Sequence, residues 1–233
     1  MKPKALILAT FISIILFTTE SYGWSGDSWG PISRQAITSM ASQMVDSSWT
    51  PRSTIRNWAY GSVRYYFYSQ MTYRGEAYCQ QNAQENWAEF FSLVDNTKGG
   101  DTYCGNDCSG FVSISWRLPK RYTCTDFECD AISSTNPFCG PYHDPSTDDY
   151  AQSLGNVGSG GQVTLLQGDA LVNSGVHIIL FDRYATSGIV SMEQTPGPRV
   201  SSDEMRRYWS WTSLGSYRPI RRNLIGGPSV SGH

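Results

Sequence analysis

Charge is scarce in this sequence: only 16% of its 233 residues are Asp, Glu, Lys or Arg, against roughly a quarter in an ordinary globular chain. That charge balances to a formal −2. Bulk electrostatic binding of nucleic acid is thereby excluded, because it needs a basic excess. Histidine is scarcer still, with three residues in all, so imidazole chemistry has few places to reside. Beyond an early stretch, Ala5 to Phe17, no segment is apolar enough to cross a membrane, and no internal repeat is visible. Aromatic residues, by contrast, make up 13% of the chain. That content excludes a disordered chain, and the length suits one domain with a sizeable core.

The early apolar stretch follows Lys2 and Lys4 and precedes small residues at Ser21 and Gly23. As a helix it would reach about 20 Å, short of the roughly 30 Å of bilayer hydrocarbon. It therefore reads as a cleavable signal peptide over residues 1–23 rather than an anchor. The expectation is an exported protein, secreted or periplasmic, with no stable membrane insertion once the signal is removed. A single domain over 24–225 and a disordered tail over 226–233 complete the expected layout, as a monomer.

Export favours cystine formation. The six cysteines are Cys79, Cys104, Cys108, Cys124, Cys129 and Cys139. If one is a working thiol, the other five cannot all pair within one molecule. A Cys79–Cys104 bridge would contribute about 3–4 kcal/mol in the chain-entropy model. Cys124 with Cys129, or Cys129 with Cys139, would staple the loop after the central helix. A thiolate zinc site from Cys104, Cys108, Cys124 and Cys129 is disfavoured by spacing, so no metal and no cofactor are expected.

Apolar positions Ile32, Ala36, Ile37, Met40, Ala41, Met44 and Val45 recur at helical period behind Ser33, a good N-cap. Residues 52–103 are tyrosine-rich without strong period, apart from a helix around Gln84 to Val94; these tyrosines could line a groove or fill a core. Next comes Cys104-Gly-Asn-Asp-Cys108-Ser-Gly-Phe-Val-Ser-Ile-Ser-Trp-Arg-Leu-Pro119. Phe111, Val112, Ser115 and Trp116 share a helix face, Pro119 stops it, and Asn106 or Asp107 caps it. Cys108 then lies in the first turn. Residues 120–162 read as a long polar excursion, a functional wall or a disulfide-stapled insertion. Strand signals follow at Val163–Leu166, Ala170–Val172, Val176–Phe181 and Ile189–Glu193. An amphipathic piece spans Ser202 to Trp211, and a last strand starts at Tyr217. Helices first and strands afterwards imply an α+β fold.

A thiol in the first turn of a helix faces unsatisfied N–H groups and the positive end of the dipole, both of which favour thiolate. Thiolate nucleophiles want an imidazole partner. His233 ends a Gly/Ser-rich tail and His143 sits in a Pro/Asp loop, which leaves His177 at the head of a strand. If the hairpin centres on Ala185, His177 lies directly opposite Glu193, about 5 Å away between Cβ atoms. A one-residue slip would put Glu193 on the wrong face.

The runs Asp107-Cys108-Ser109-Gly110-Phe111-Val112, Leu165-Leu-Gln-Gly168-Asp169 and Val176-His177-Ile-Ile-Leu-Phe181 resemble the NlpC-type cell-wall cysteine peptidases, which are papain-like and related to the CHAP amidases. The resemblance covers about residues 70–220. It implies a catalytic helix packed on an antiparallel sheet, with additional N-terminal helices. It further implies Cys108 as nucleophile, His177 as general base and Glu193 as the third polar residue. Tyr78, or failing it Tyr73, matches the family's substrate-side tyrosine, and Asp107 and Ser109 flank the nucleophile as substrate-binding candidates. The implied substrate is peptidoglycan or a muropeptide, cut at an amide bond of the stem peptide. The sequence departs from the family at Cys79-Gln80-Gln81, where a glycine pair is usual, and at Gln167, where a proline is usual. Two alternatives stay open: an amidase or acyltransferase acting on a non-wall substrate, or a non-catalytic glycan binder with Cys108 locked in a disulfide, for instance with Cys104.

Overall fold

In the computed structural model the described residues are 30–59, 61, 63–80, 87–96, 103–132, 139, 143–156, 163–197 and 205–226. The expected signal peptide and nearly all of the expected tail lie outside them. Helix α1 (Arg34–Asp46) begins where the periodicity placed it, with the Ser33 hydroxyl accepting from the Ala36 N–H at 3.1 Å. Its buried stripe, Ile37, Met40, Ala41, Met44 and Val45, is the apolar face read from the sequence. After β1 (Ser48–Trp49) come β2 (Ile55–Ala59), β3 (Val63–Phe67), β4 (Tyr73–Arg74) and helix α2 (Trp87–Asn96). The β2–β3 hairpin was not legible in the tyrosine-rich stretch, although its alternate residues Ile55, Asn57 and Ala59 are buried.

The second half holds α3 (Cys108–Ser115), α4 (Cys124–Ala131), β5 (Ala151–Ser153), β6 (Ala170–Asn173), β7 (His177–Ala185), β8 (Gly188–Met192), β9 (Arg206–Ser210) and β10 (Arg218–Arg222). The last six strands form one antiparallel sheet in the order β5-β10-β6-β7-β8-β9. Three expectations are corrected. The excursion over 120–162 contains a real helix, α4, held by a capping box between Thr123 and Asp126. Residues 163–166 are loop, their apolar Leu165 filling a patch beside the sheet rather than pairing in it. The amphipathic piece over 202–211 supplies an edge strand, β9.

Helices α1, α3 and α4 cover one face of this sheet. Ala170, Val172, Ile178, Leu180, Met192 and Ile220 point into a core shared with Phe111, Val112, Trp116 and Phe127. The other face carries Leu171, Ile179, Phe181 and Ile189 under Leu165, Leu214 and Tyr217. This is a mixed α+β fold of helices against an antiparallel sheet.

Buried charge locks these layers together. The Asp169 carboxylate, fully buried, accepts from Arg34 at 2.9 Å and from Arg221 at 2.7 and 2.9 Å. It thereby ties α1 to β10. Beside it the Trp116 indole N–H reaches the Gly168 carbonyl at 2.8 Å. Gly168 holds φ +86°, with Ile37 so close that a Cβ would press on it at 3.1 Å. The Gly-Asp turn is thus a structural joint. Asp130 does similar work for α4, accepting from the Tyr150 and Ala151 N–H groups at 2.8 and 2.7 Å, while burial pushes its carboxyl up to about 7.

Candidate active site

Helix α3 starts on a dense local network. Asp107 caps it, accepting from the Gly110 N–H and the Ser109 hydroxyl, each at 2.8 Å, and pairing with Arg121. Asp107 and Ser109, read as substrate-binding candidates, thus spend their polar groups on the helix start. Gly110 is needed for space: a Cβ there would meet Asn106 Oδ1 at 2.3 Å. Asn106 in turn donates to Glu76 at 2.9 Å. Asp107, Ser109 and Gly110 of this run therefore each have a local cause.

Three buried amide side chains assemble the surroundings. Asn57 donates to the Tyr78 carbonyl at 2.9 Å and the Cys104 carbonyl at 2.6 Å. Asn106 and Tyr78 form a parallel bridge. Gln194 donates to the carbonyls of Glu76 and Ala77 at 2.9 and 3.2 Å. The clamp fastens the chain before α3, the segment bearing Tyr78 and the residue after Glu193 to one another. Tyr78, 3% exposed, lies at this junction, bridged to Asn106 two residues before Cys108. Tyr73 does not: it is 2% exposed and packs with Trp49 and Phe67 as core, its hydroxyl accepting from the Tyr68 N–H.

His177 opens β7 immediately after the tight turn at Gly175 (φ +67°), and its ring and the Cys108 thiol act on each other's protonation. Its Nε2 lies 3.1 Å from Glu193 Oε2, so Nδ1 is the ring nitrogen not engaged by that carboxylate. The pairing differs from the expected register. Near His177 the β7–β8 ladder pairs Leu180 with Met192 and Phe181 with Ser191, so Glu193 is diagonal to His177 rather than opposite it. Beyond Phe181 a bulge shifts the register by one residue, to Arg183 with Val190. Had that outer register continued, Gln194 and not Glu193 would share the face of His177. The bulge thus decides which residue the imidazole meets.

Glu193 is fully buried. Its Oε2 also accepts from the Trp209 indole N–H at 3.1 Å, and its Oε1 faces the Arg207 guanidinium at 3.8 Å. Arg207 in turn stacks over the Trp209 ring at 4.8 Å. Trp209 and Arg207 were missed from sequence because β9 was not recognised as a strand.

The electrostatics form a pair. The largest influence on Cys108 is the thiol of Cys124, whose sulfur lies 3.8 Å away and whose S–H favours the thiolate; burial opposes, and the hydrogen bond and charge of His177 add. Together they bring Cys108 down to about 6. Burial disfavours the imidazolium of His177, but Cys108 and Glu193 outweigh it and hold the ring up at about 9. Between these values the arrangement is a thiolate–imidazolium pair. Cys124 is pushed upward, chiefly through its bond to Cys108 and by burial.

The cystine connectivity is now visible. Cys129 and Cys139 are bridged, one of the two staples considered for this loop. Cys79, Cys104, Cys108 and Cys124 are thiols. The candidate Cys79–Cys104 bridge is not formed, because Tyr78 pairs with Asn106 in parallel and the two cysteines are staggered on opposite sides of that bridge. With Cys129 in a cystine, the four-thiolate zinc set loses a ligand. His143 is engaged with other groups, its backbone N–H donating to Asp126 at 2.9 Å and its ring 3.8 Å from Asp148. Among the described residues no helix is long and apolar enough to cross a membrane. Comparison with known proteins finds no matching family model, no matching curated protein and no matching solved structure.

Proposed function

We propose that this chain is an exported thiol hydrolase of papain-like architecture that cleaves an amide bond in peptidoglycan stem peptides. The observation that carries the chemistry is a helix-N-terminal cysteine whose thiol pKa is lowered by Cys124 and His177, with a buried carboxylate 3.1 Å from that imidazole. The substrate class rests on the sequence resemblance.

In this reading the Cys108 thiolate attacks the amide carbonyl, and N–H groups at the start of α3 stabilise the oxyanion. His177, carrying the proton taken from the thiol, delivers it to the departing amine, and water then resolves the acyl-enzyme with His177 as base. Glu193 keeps Nε2 occupied and stabilises the imidazolium, and Trp209 holds Glu193. A non-catalytic glycan binder would have Cys108 in a cystine. The sulfur is instead a thiol with its pKa lowered by Cys124 and His177, which favours hydrolysis.

The test is mass analysis of products from purified muropeptides. Wild-type protein should release one fragment with a new carboxyl and one with a new amine, and Cys108→Ala and His177→Ala should release neither. Cleavage surviving in Cys108→Ala would end the proposal; an amine-acceptor adduct in place of free acid would turn it into acyl transfer.

A further inference from the structure

Helices α3 and α4 both begin on a cysteine, capped by Asp107 and Thr123, and the two starts converge. The Cys108 and Cys124 sulfurs are 3.8 Å apart, each residue only 8% exposed. A disulfide holds its sulfurs at about 2.05 Å, so roughly 1.8 Å of approach separates this pair from a bond. Amide hydrolysis as described above assigns no covalent step to Cys124. Nor does α4 need this sulfur for anchorage: it is already stapled through Cys129 and Cys139 and bonded to β5 through Asp130. A second thiol in van der Waals contact with a nucleophilic sulfur is the arrangement of a resolving cysteine.

We propose that Cys108 and Cys124 form a reversible oxidative modification site, at which a peroxide-class oxidant joins the two sulfurs and silences the nucleophile until a dithiol reductant separates them. The inference rests on the reading of Cys108 as the working nucleophile. In the first step the Cys108 thiolate attacks one peroxide oxygen. The O–O bond breaks, an S–O bond forms, sulfur gives up two electrons, and the departing alkoxide or hydroxide takes a proton. Conversion of Cys108 to a neutral sulfenic acid removes the negative charge that held the Cys124 proton in place. In the second step the Cys124 sulfur attacks the sulfenic sulfur; the S–S bond forms, the S–O bond breaks, and hydroxide leaves with the Cys124 proton as water. Overall two thiols and one peroxide give one disulfide, one alcohol or water, and one water. A dithiol reverses this by exchange, becoming a disulfide itself. Without Cys124, the sulfenic acid would lose the thiol at 3.8 Å and would climb to the irreversible sulfinic and sulfonic acids.

The experiment treats the reduced mature protein with hydrogen peroxide, blocks remaining thiols under denaturing conditions and maps the peptides by mass spectrometry. Wild type should lose two hydrogens between the Cys108 and Cys124 peptides, recovered as one linked peptide. Dithiothreitol should then restore iodoacetamide labelling of Cys108 to its starting level. In Cys124→Ser and Cys124→Ala, Cys108 should instead gain two or three oxygens, and labelling should not return. Overoxidation of Cys108 in wild type as readily as in the variants, or a bond from Cys108 to any other cysteine, would overturn the proposal. The readout is the state of a thiol. A linked pair in a protein that cleaves no muropeptide would therefore sink only the hydrolase reading, and cleavage without a linked pair would sink only this one.

Discussion

Alkylation of Cys108 by iodoacetamide, followed against pH, probes the thiolate directly. With the thiol held at about 6 instead of its usual 9, roughly nine-tenths of it is ionised at pH 7, against about one-hundredth for an ordinary cysteine. The lower basicity surrenders nucleophilicity, by about 0.4–0.5 log unit per unit of pKa. About twentyfold of the roughly ninetyfold gain in thiolate is thus given back, leaving a rate at pH 7 only a few times the ordinary one. The discriminating quantity is the inflection, expected near 6 in the wild type. His177→Ala removes the imidazolium and its hydrogen bond, and Cys124→Ala removes the S–H donor; each should move the inflection upward. The labelled site is read by peptide mapping, so other thiols do not interfere. A wild-type inflection above 8, or one that neither substitution moves, would refute the account of the thiolate.

The pH profile of turnover should rise as Cys108 loses its proton through about 6 and fall as His177 loses its own through about 9; a single-limbed profile would contradict the ion pair. Glu193→Gln keeps the shape but removes the charge, so the upper limb should move down by about one unit or more, with a smaller loss of turnover than in His177→Ala. An unmoved upper limb would show that Glu193 does not support the imidazolium. Gly105→Ala should lower the urea midpoint by the equivalent of about 3 kcal/mol or more, because Gly105 has φ +116° and a Cβ there would lie 1.9 Å from the Ala77 carbonyl oxygen. Cys129→Ser opens a bridge between residues ten apart in sequence and should cost about 3 kcal/mol in urea unfolding, while leaving the Cys108 alkylation inflection in place.

Several parts of the site were legible because their causes are local. The cap on α3 is made by Asp107, one residue before the cysteine and one of the two caps the spacing allowed, and the stripe on α1 repeats every three to four residues. The rarity of histidine pointed to His177, and a Gly-bearing turn before it announced the strand. The β2–β3 hairpin was not legible, because Tyr65, Tyr66 and Phe67 run consecutively and show no period of two. The α4 helix was hidden in polar sequence: a capping box fixes its start, and its buried residues mix Asp126 and Asp130 with Cys124, Phe127 and Ala131.

The linear order of residues determined that a cysteine would sit at a helix N-terminus, that an antiparallel sheet would follow, and that one histidine would begin a strand. Those outcomes depend on side chains a few positions apart. Only the tertiary structure decided what meets the reacting atoms. The bulge after Phe181 turned Glu193 and not Gln194 toward His177. Strand β9 delivered Trp209 onto that carboxylate, and the convergence of two helix starts brought Cys124 to Cys108. Each is a matter of register or packing between segments distant along the chain, where a shift of one residue reverses a side chain's direction and no local pattern records which register was adopted.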